Sequence, residues 1–137
     1  MRSLFIAILL IISTSVFSQK LTEIDGKYQS RVEYSVSDRD ISTIFRKCNV
    51  FLDMELPDRQ TLAISQDDKI QKFSGIGTHK KFKFVYEVVC TDRSFKITFT
   101  NITYKLKPIG QKSSKINQMN EFLVDFCGKM QAFVRYS

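Results

Sequence analysis

A chain of 137 residues with 43% hydrophobic content and 12 phenylalanines has enough apolar material for one buried core, and its 5 glycines and 2 prolines leave no room for a repeat or a Pro/Gly-rich linker. The formal charge of +7 biases the surface toward acidic partners, but the lysines are scattered rather than gathered in one block, so the charge identifies none. Three cysteines permit at most one intrachain bridge, and no C-x-x-C or Cys/His spacing points to zinc or thiol redox chemistry.

The first residues, MRSLFIAILLIISTSVFSQK, carry one positive charge at Arg2, an unbroken apolar run from Leu4 to Ile12 and small Ser18. That is the pattern of a secretory signal peptide. Val16 and Ser18 suit a cleavage site, which puts the mature start at Gln19. The run breaks at Ser13, short of the ~20 apolar residues a membrane span needs, so no anchor is expected once the leader is removed. No cysteine stands at its end to take a lipid. The expected organisation is a leader over 1–18 and a single domain over 19–137, exported to the periplasm or beyond the cell. The 119 mature residues carry a net charge of +6, because Arg2 is the leader's only charged residue.

After a polar lead with Asp25-Gly26, Tyr28 to Val36 alternates and places Tyr28, Val32, Tyr34 and Val36 on one side of a first strand. Ser37-Asp38-Arg39-Asp40 then reads as a capping box, Ser37 accepting from the first free amides and Asp40 reaching back. The helix that follows carries Ile41, Ile44, Phe45, Cys48 and Leu52 on one stripe and ends before Pro57. A strand is predicted over Thr61 to Ser65, a turn over Gln66 to Lys69 and a strand over Ile70 to Thr78. In the last, Ile70 and Ile76 share one face and Phe73 the other, which predicts a bulge or local twist near Ser74-Gly75. Gly75-Ile76-Gly77 lacks the third glycine of a dinucleotide loop, since position 80 is Lys80, so these glycines are read as structural.

The stretch from Lys80 to Lys107 predicts a long hairpin. Phe82, Phe84, Tyr86, Val88 and Cys90 share one face of its first strand, Phe95, Ile97 and Phe99 one face of its second, and Thr91 to Ser94 form the turn. Ile102, Tyr104 and Leu106 then change parity, which predicts a bulge near Thr100-Asn101. After Lys107-Pro108-Ile109-Gly110, the spacing of Ile116, Met119, Leu123, Phe126, Met130 and Phe133 predicts a second amphipathic helix. Its Gly128 is expected to permit close approach to the sheet or to mark a bend. The fold class is therefore α+β: a five-stranded antiparallel sheet in the order β-α-β-β-β-β-α, with two helices on one face and the other face open. The cysteines fall in phase with apolar neighbours, as three buried thiols would; the alternative is a Cys48–Cys127 bridge between the helices.

The segments V-E-Y-S-V-S-D-R-D-I, F-S-G-I-G-T and F-K-I-T-F-T-N-I-T together resemble a domain-of-unknown-function family found in secreted proteins of Bacteroidetes. The resemblance covers nearly all of the mature chain and implies a half of TATA-box-binding-protein-like fold in a bacterial, extracytoplasmic setting. Asp92-Arg93 departs from the Asp-Gly expected of the family's hairpin turn. It implies no functional residue.

Chemistry is sparse. His79 is the sole histidine, and no serine elbow accompanies it. Asp38/Asp40 and Asp67/Asp68 fall in a helix cap and a turn, where acids serve the backbone. Asn101-Ile102-Thr103 matches a glycosylation sequon but sits inside a predicted strand. No enzyme, cofactor or metal site is expected. The open sheet face, with Lys81, Lys83 and Lys96 opposite the phenylalanines, is the expected binding surface for a protein or envelope component. Weak binding of a polyanion by the same three lysines is the alternative, and an uncharacterised enzyme using His79 is the second. Nucleic acid is not expected as a partner, because that face lacks wedge aromatics. Oligomeric state is not encoded in any pattern here.

Overall fold

The computed structural model describes residues 20–109 and 113–136; the leader expected over 1–18, with its cleavage site and a start at Gln19, lies outside them. The elements run β1 (Thr22–Ile24), β2 (Lys27–Ser35), α1 (Ile41–Glu55), β3 (Gln60–Gln66), β4 (Gln71–His79), β5 (Phe82–Thr91), β6 (Ser94–Tyr104), β7 (Lys107–Pro108) and α2 (Ser113–Tyr136). The five anticipated strands are β2 to β6, and two short ones extend the sheet to seven. Its order is β1-β2-β6-β5-β4-β3, with β7 beside β6, and every pairing is antiparallel. Because β2 lies next to β6, the chain must cross the sheet to begin β3, and α1 makes that crossing over the core face.

Strand β1 forms because Asp25 (φ 53°) and Gly26 (φ 78°) both take the left-handed conformation of a two-residue hairpin turn. Helix α1 begins at Asp40, whose carboxylate accepts from the Thr43 amide at 2.9 Å. The expected capping box does not form, since the Ser37 hydroxyl donates to Asp38 instead. At the other end Leu56 leaves helical geometry ahead of Pro57.

Alternation builds the core. Val32, Tyr34, Phe73, Phe82, Phe84, Tyr86, Val88, Cys90, Phe95, Ile97 and Phe99 are buried on one sheet face, beneath Ile44, Cys48, Phe51 and Leu52 of α1 and Met119, Leu123, Phe126, Cys127, Met130 and Val134 of α2. Phe51 of α1 packs edge-on to Phe126 of α2 at 5.2 Å, and Phe126 meets Phe99 of the sheet at 5.7 Å. The predicted bulge in β6 is present: the β5–β6 register slips by one residue between Lys83 and Val85, and Asn101 takes φ 52°. Asparagine tolerates that conformation better than most residues, which accounts for Asn101 without its sequon. Leu106 does not continue the apolar face; it stands in the turn after β6 and is 82% exposed.

The irregularity expected near Ser74-Gly75 belongs to the neighbouring strand. The β4–β5 register runs unbroken, whereas β3 slips between Thr61 and Ala63, opposite Gly75 and Ser74. Gly75 and Gly77 are structural as expected: a Cβ on Gly75 would collide with the Tyr86 hydroxyl and the Gln60 carbonyl, and one on Gly77 with Phe84 and Leu56. Gly128 has neither reason expected for it. It is exposed, a Cβ there would meet nothing, and α2 passes through it without interruption.

Candidate functional site

Residues alternating with the core positions form the outer face of the sheet, and among the described residues no helix covers it. The strand registers arrange this face in rows. One runs Glu33, Lys96, Val89, Lys72, Ser65; the next Arg31, Thr98, Glu87, Ser74, Ala63; a third takes in Thr100, Val85, Ile76 and Gln60. Val85, Val89, Ile76, Thr98 and Thr100 are half-buried by their neighbours, while Glu87 among them and Arg31, Glu33 and Lys72 beside them stand in solvent. The result is a shallow β-branched surface with Glu87 in its middle, between Val85 and Val89 on β5.

The three lysines singled out from sequence are not gathered there. Lys83 lies six residues along β5 from Val89, the partner of Lys96, which separates the two lysines by roughly 20 Å at the usual rise per strand residue. Lys81 sits beyond Lys83, in the turn between β4 and β5. Lys72, which the sequence reading passed over, flanks Val89 from the opposite side to Lys96, about 10 Å away across two strand spacings. Glu33 directly opposes Lys96.

His79 stacks on Phe122 of α2, with ring centroids 4.1 Å apart and planes at 23°. Burial, reinforced by the Lys80 charge, lowers its pKa below the ordinary imidazole value. The acids have local duties, Asp40 as a helix cap and Asp67 accepting from the Lys69 and Ile70 amides at 2.8 and 2.7 Å. All three cysteines are free and buried. Cys48 lies against Cys90 rather than bridging to Cys127; burial and that neighbouring thiol push its pKa up, and burial pushes the Cys127 thiol up to about 12. Among the described residues no cluster of His, Cys, Asp and Glu has metal-holding geometry, and no helix is long and apolar enough to cross a membrane.

One polar cluster was not legible in sequence. Arg59, at 9% side-chain exposure, donates to the Tyr86 hydroxyl at 2.8 Å and to Asn49 Oδ1 at 3.2 Å, and pairs with Asp53 at 2.7 Å. Its guanidinium also lies 5.6 Å from the Phe73 ring centroid. The cluster closes the core between α1 and β4, in the space that Gly75 leaves for the Tyr86 ring. A separate cleft of about 240 Å³ opens between the β1–β2 turn, the β6 bulge and β7, lined by Tyr28, Ile102, Pro108 and Ile109 with Asn101 and Thr103 at its wall. Lys27 also lines it, and no acid or histidine does.

No protein-family model and no curated protein matches the sequence. Solved structures do match. A DUF4468 family protein from Bacteroides ovatus aligns with a TM-score of 0.63 at 14% identity, over 90% of this chain and 95% of that one. A TBP-like protein from Parabacteroides distasonis aligns with a TM-score of 0.63 at 12% identity, over 85% of this chain and 97% of that one. The chain has the TATA-box-binding-protein-like fold. The resemblance seen in V-E-Y-S-V-S-D-R-D-I, F-S-G-I-G-T and F-K-I-T-F-T-N-I-T therefore holds at the level of architecture. A TATA-box-binding-protein-like fold at such identities carries no activity across, because function resides in sites and not in folds.

Proposed function

We propose that the mature chain is a non-catalytic domain, exported to the periplasm or beyond the cell, that docks a protein or envelope component on the uncovered face of its sheet. The observation that carries this reading is the outer face itself: half-buried Val85, Val89, Ile76, Thr98 and Thr100 around a central exposed Glu87, with Arg31, Glu33, Lys72 and Lys96 beside them. Half-buried β-branched side chains interleaved with charges of both signs offer a protein partner apolar contact together with charge complementarity. An enzyme would need a poised group in a pocket, and the ring of His79 is instead committed to Phe122. The polyanion reading has less support, because Lys83 and Lys96 stand far apart and Glu33 and Glu87 interrupt the lysines.

Affinity capture from the native envelope tests the proposal, with mature protein and its Val85→Arg variant as paired baits. A partner held by the first and lost by the second is expected. A partner retained equally by both would place the contact elsewhere. Capture of heparin-like or nucleic-acid ligands, weakening steeply as salt rises, would favour the polyanion alternative.

A further inference from the structure

We propose that the end of the sheet where the turns Lys80–Lys81 and Lys105–Leu106 lie side by side is a docking tip for the surface of an anionic lipid bilayer. This surface is distinct from the outer face and stands independently of the reading above. The two turns are tied together, the Lys105 amide donating to the Lys81 carbonyl at 3.0 Å. Leu106 caps them at 82% exposure, the highest of any large hydrophobic side chain among the described residues.

The turn chemistry is at odds with the residues that make it. Lys105 (φ 51°) and Leu106 (φ 67°) adopt consecutive left-handed conformations, and Lys80 (φ 55°) does the same in the neighbouring turn. Asn-Gly or Asp-Gly normally fills such a pair of positions. Leucine there carries backbone strain and gains no packing in return, and such strain concentrates where a residue serves an external contact.

Charge points the same way. Lys80, Lys81, Lys105 and Lys107 flank the leucine, and the segments 79–83 and 104–109 contain no acid. Lys115, from the first turns of α2, adds its ammonium 4.1 Å from the Tyr104 ring centroid, with that of Lys105 at 5.7 Å. None of these lysines forms a salt bridge among the described residues. The Lys115 hydrogen bond, with the Lys105 and Lys81 charges, lowers the Tyr104 phenol below its ordinary pKa, which is consistent with a positive field at this end.

An aliphatic tip inside a ring of flexible lysines fits a membrane interface, where the apolar group enters among the acyl chains and the ammonium groups stay with the headgroups. Single-stranded nucleic acid would call for free aromatic faces and arginine; here Lys115 covers the Tyr104 ring and every cation is a lysine. A soluble anion would call for an enclosed socket, and these lysines ring a protrusion instead.

Co-sedimentation of the mature protein with vesicles of phosphatidylcholine containing phosphatidylglycerol, against phosphatidylcholine alone, tests the proposal. Binding to the anionic vesicles only is expected. Lys81→Gln with Lys105→Gln should weaken it roughly thirtyfold. Leu106→Asn should weaken it by about tenfold, with a thermal midpoint equal to or above the parent's because asparagine suits the left-handed turn, so that lost binding is not lost folding. Lys69→Gln, in the β3–β4 turn at the opposite end of the sheet, should bind as the parent does. Equal binding to neutral vesicles, parental binding by Leu106→Asn, or full displacement by soluble glycerol phosphate would each overturn the proposal.

Discussion

Arg59→Ala is expected to be the most costly single truncation on the polar side of the core, and the reason is the Tyr86 hydroxyl rather than the Asp53 ion pair. Tyr86 is fully buried, and Arg59 is the partner of its hydroxyl at 2.8 Å. Removing the guanidinium leaves that oxygen dry and unbonded, which costs about 1–3 kcal/mol. The lost contact of the side chain with Phe73, whose ring lies 5.6 Å away, brings the expected total to about 3 kcal/mol, within the range for broken buried networks. Asp53 is 68% exposed, and an exposed pair contributes only about 0–1 kcal/mol, so Asp53→Ala should cost under about 1 kcal/mol by the same principle. Tyr86→Phe removes the acceptor together with the need for a donor, and it should couple to Arg59→Ala by about 1 kcal/mol or more in a double-mutant cycle. Urea unfolding monitored by circular dichroism reads the parent, the three single variants and the Arg59→Ala/Tyr86→Phe double variant from their midpoints at constant slope. If Asp53→Ala were as damaging as Arg59→Ala, or the two core variants simply added, the hydroxyl would not be what Arg59 serves.

Two exposed backbone positions should accept stabilising changes. Gly128→Ala should gain about 0.5–1 kcal/mol, since a Cβ there meets nothing in α2, and Arg93→Gly should gain about 1 kcal/mol by relieving a left-handed conformation at φ 67°; thermal melts that fall for either variant would contradict the local geometry. Asp40 and Asp67 are both held below the ordinary carboxylate pKa by bonds from Thr43 and from Ile70 and Lys69. Their contribution is thus fully present above the unfolded value, about 3.9, and is lost as pH falls through the lower folded values. Asp40→Asn with Asp67→Asn should flatten this acid limb in a pH series of unfolding midpoints. Three thiols should titrate in denaturant and react slowly in the native protein, because all three are buried away from reagent and burial disfavours the thiolate at Cys48 and Cys127; two missing thiols would reveal a bridge.

Most of the architecture was legible because a period of two or 3.6 reports which side of an element faces the core. The parity change between Phe99 and Ile102 even located the bulge that Asn101 makes. Parity does not report position along the strand. Lys83 and Lys96 were correctly assigned to one face, but only the turn lengths and the bulge fix a register that sets them far apart. The short strands escaped for different reasons: Asp25-Gly26 was a readable hairpin signal for β1, whereas the β6–β7 turn uses Lys105-Leu106, which imitates a continuing strand. Ser37 and Asp40 both qualify as helix caps by type, and only the backbone entry angle decides for Asp40. Arg59 left no local pattern, since Tyr86, its partner, is 27 residues away. The hydroxyl of a core tyrosine opposite a glycine is the one hint that a donor had to arrive from elsewhere.

The central claim, that the uncovered sheet face is the docking surface, is tested most directly by site-specific photo-crosslinking in the native envelope. A benzophenone side chain at Val85, in the middle of the outer face, should yield one discrete adduct that competes away with unlabelled mature protein, while the same probe at Asp125, exposed on α2, should yield none. A competable adduct from Asp125 and none from Val85 would contradict the account.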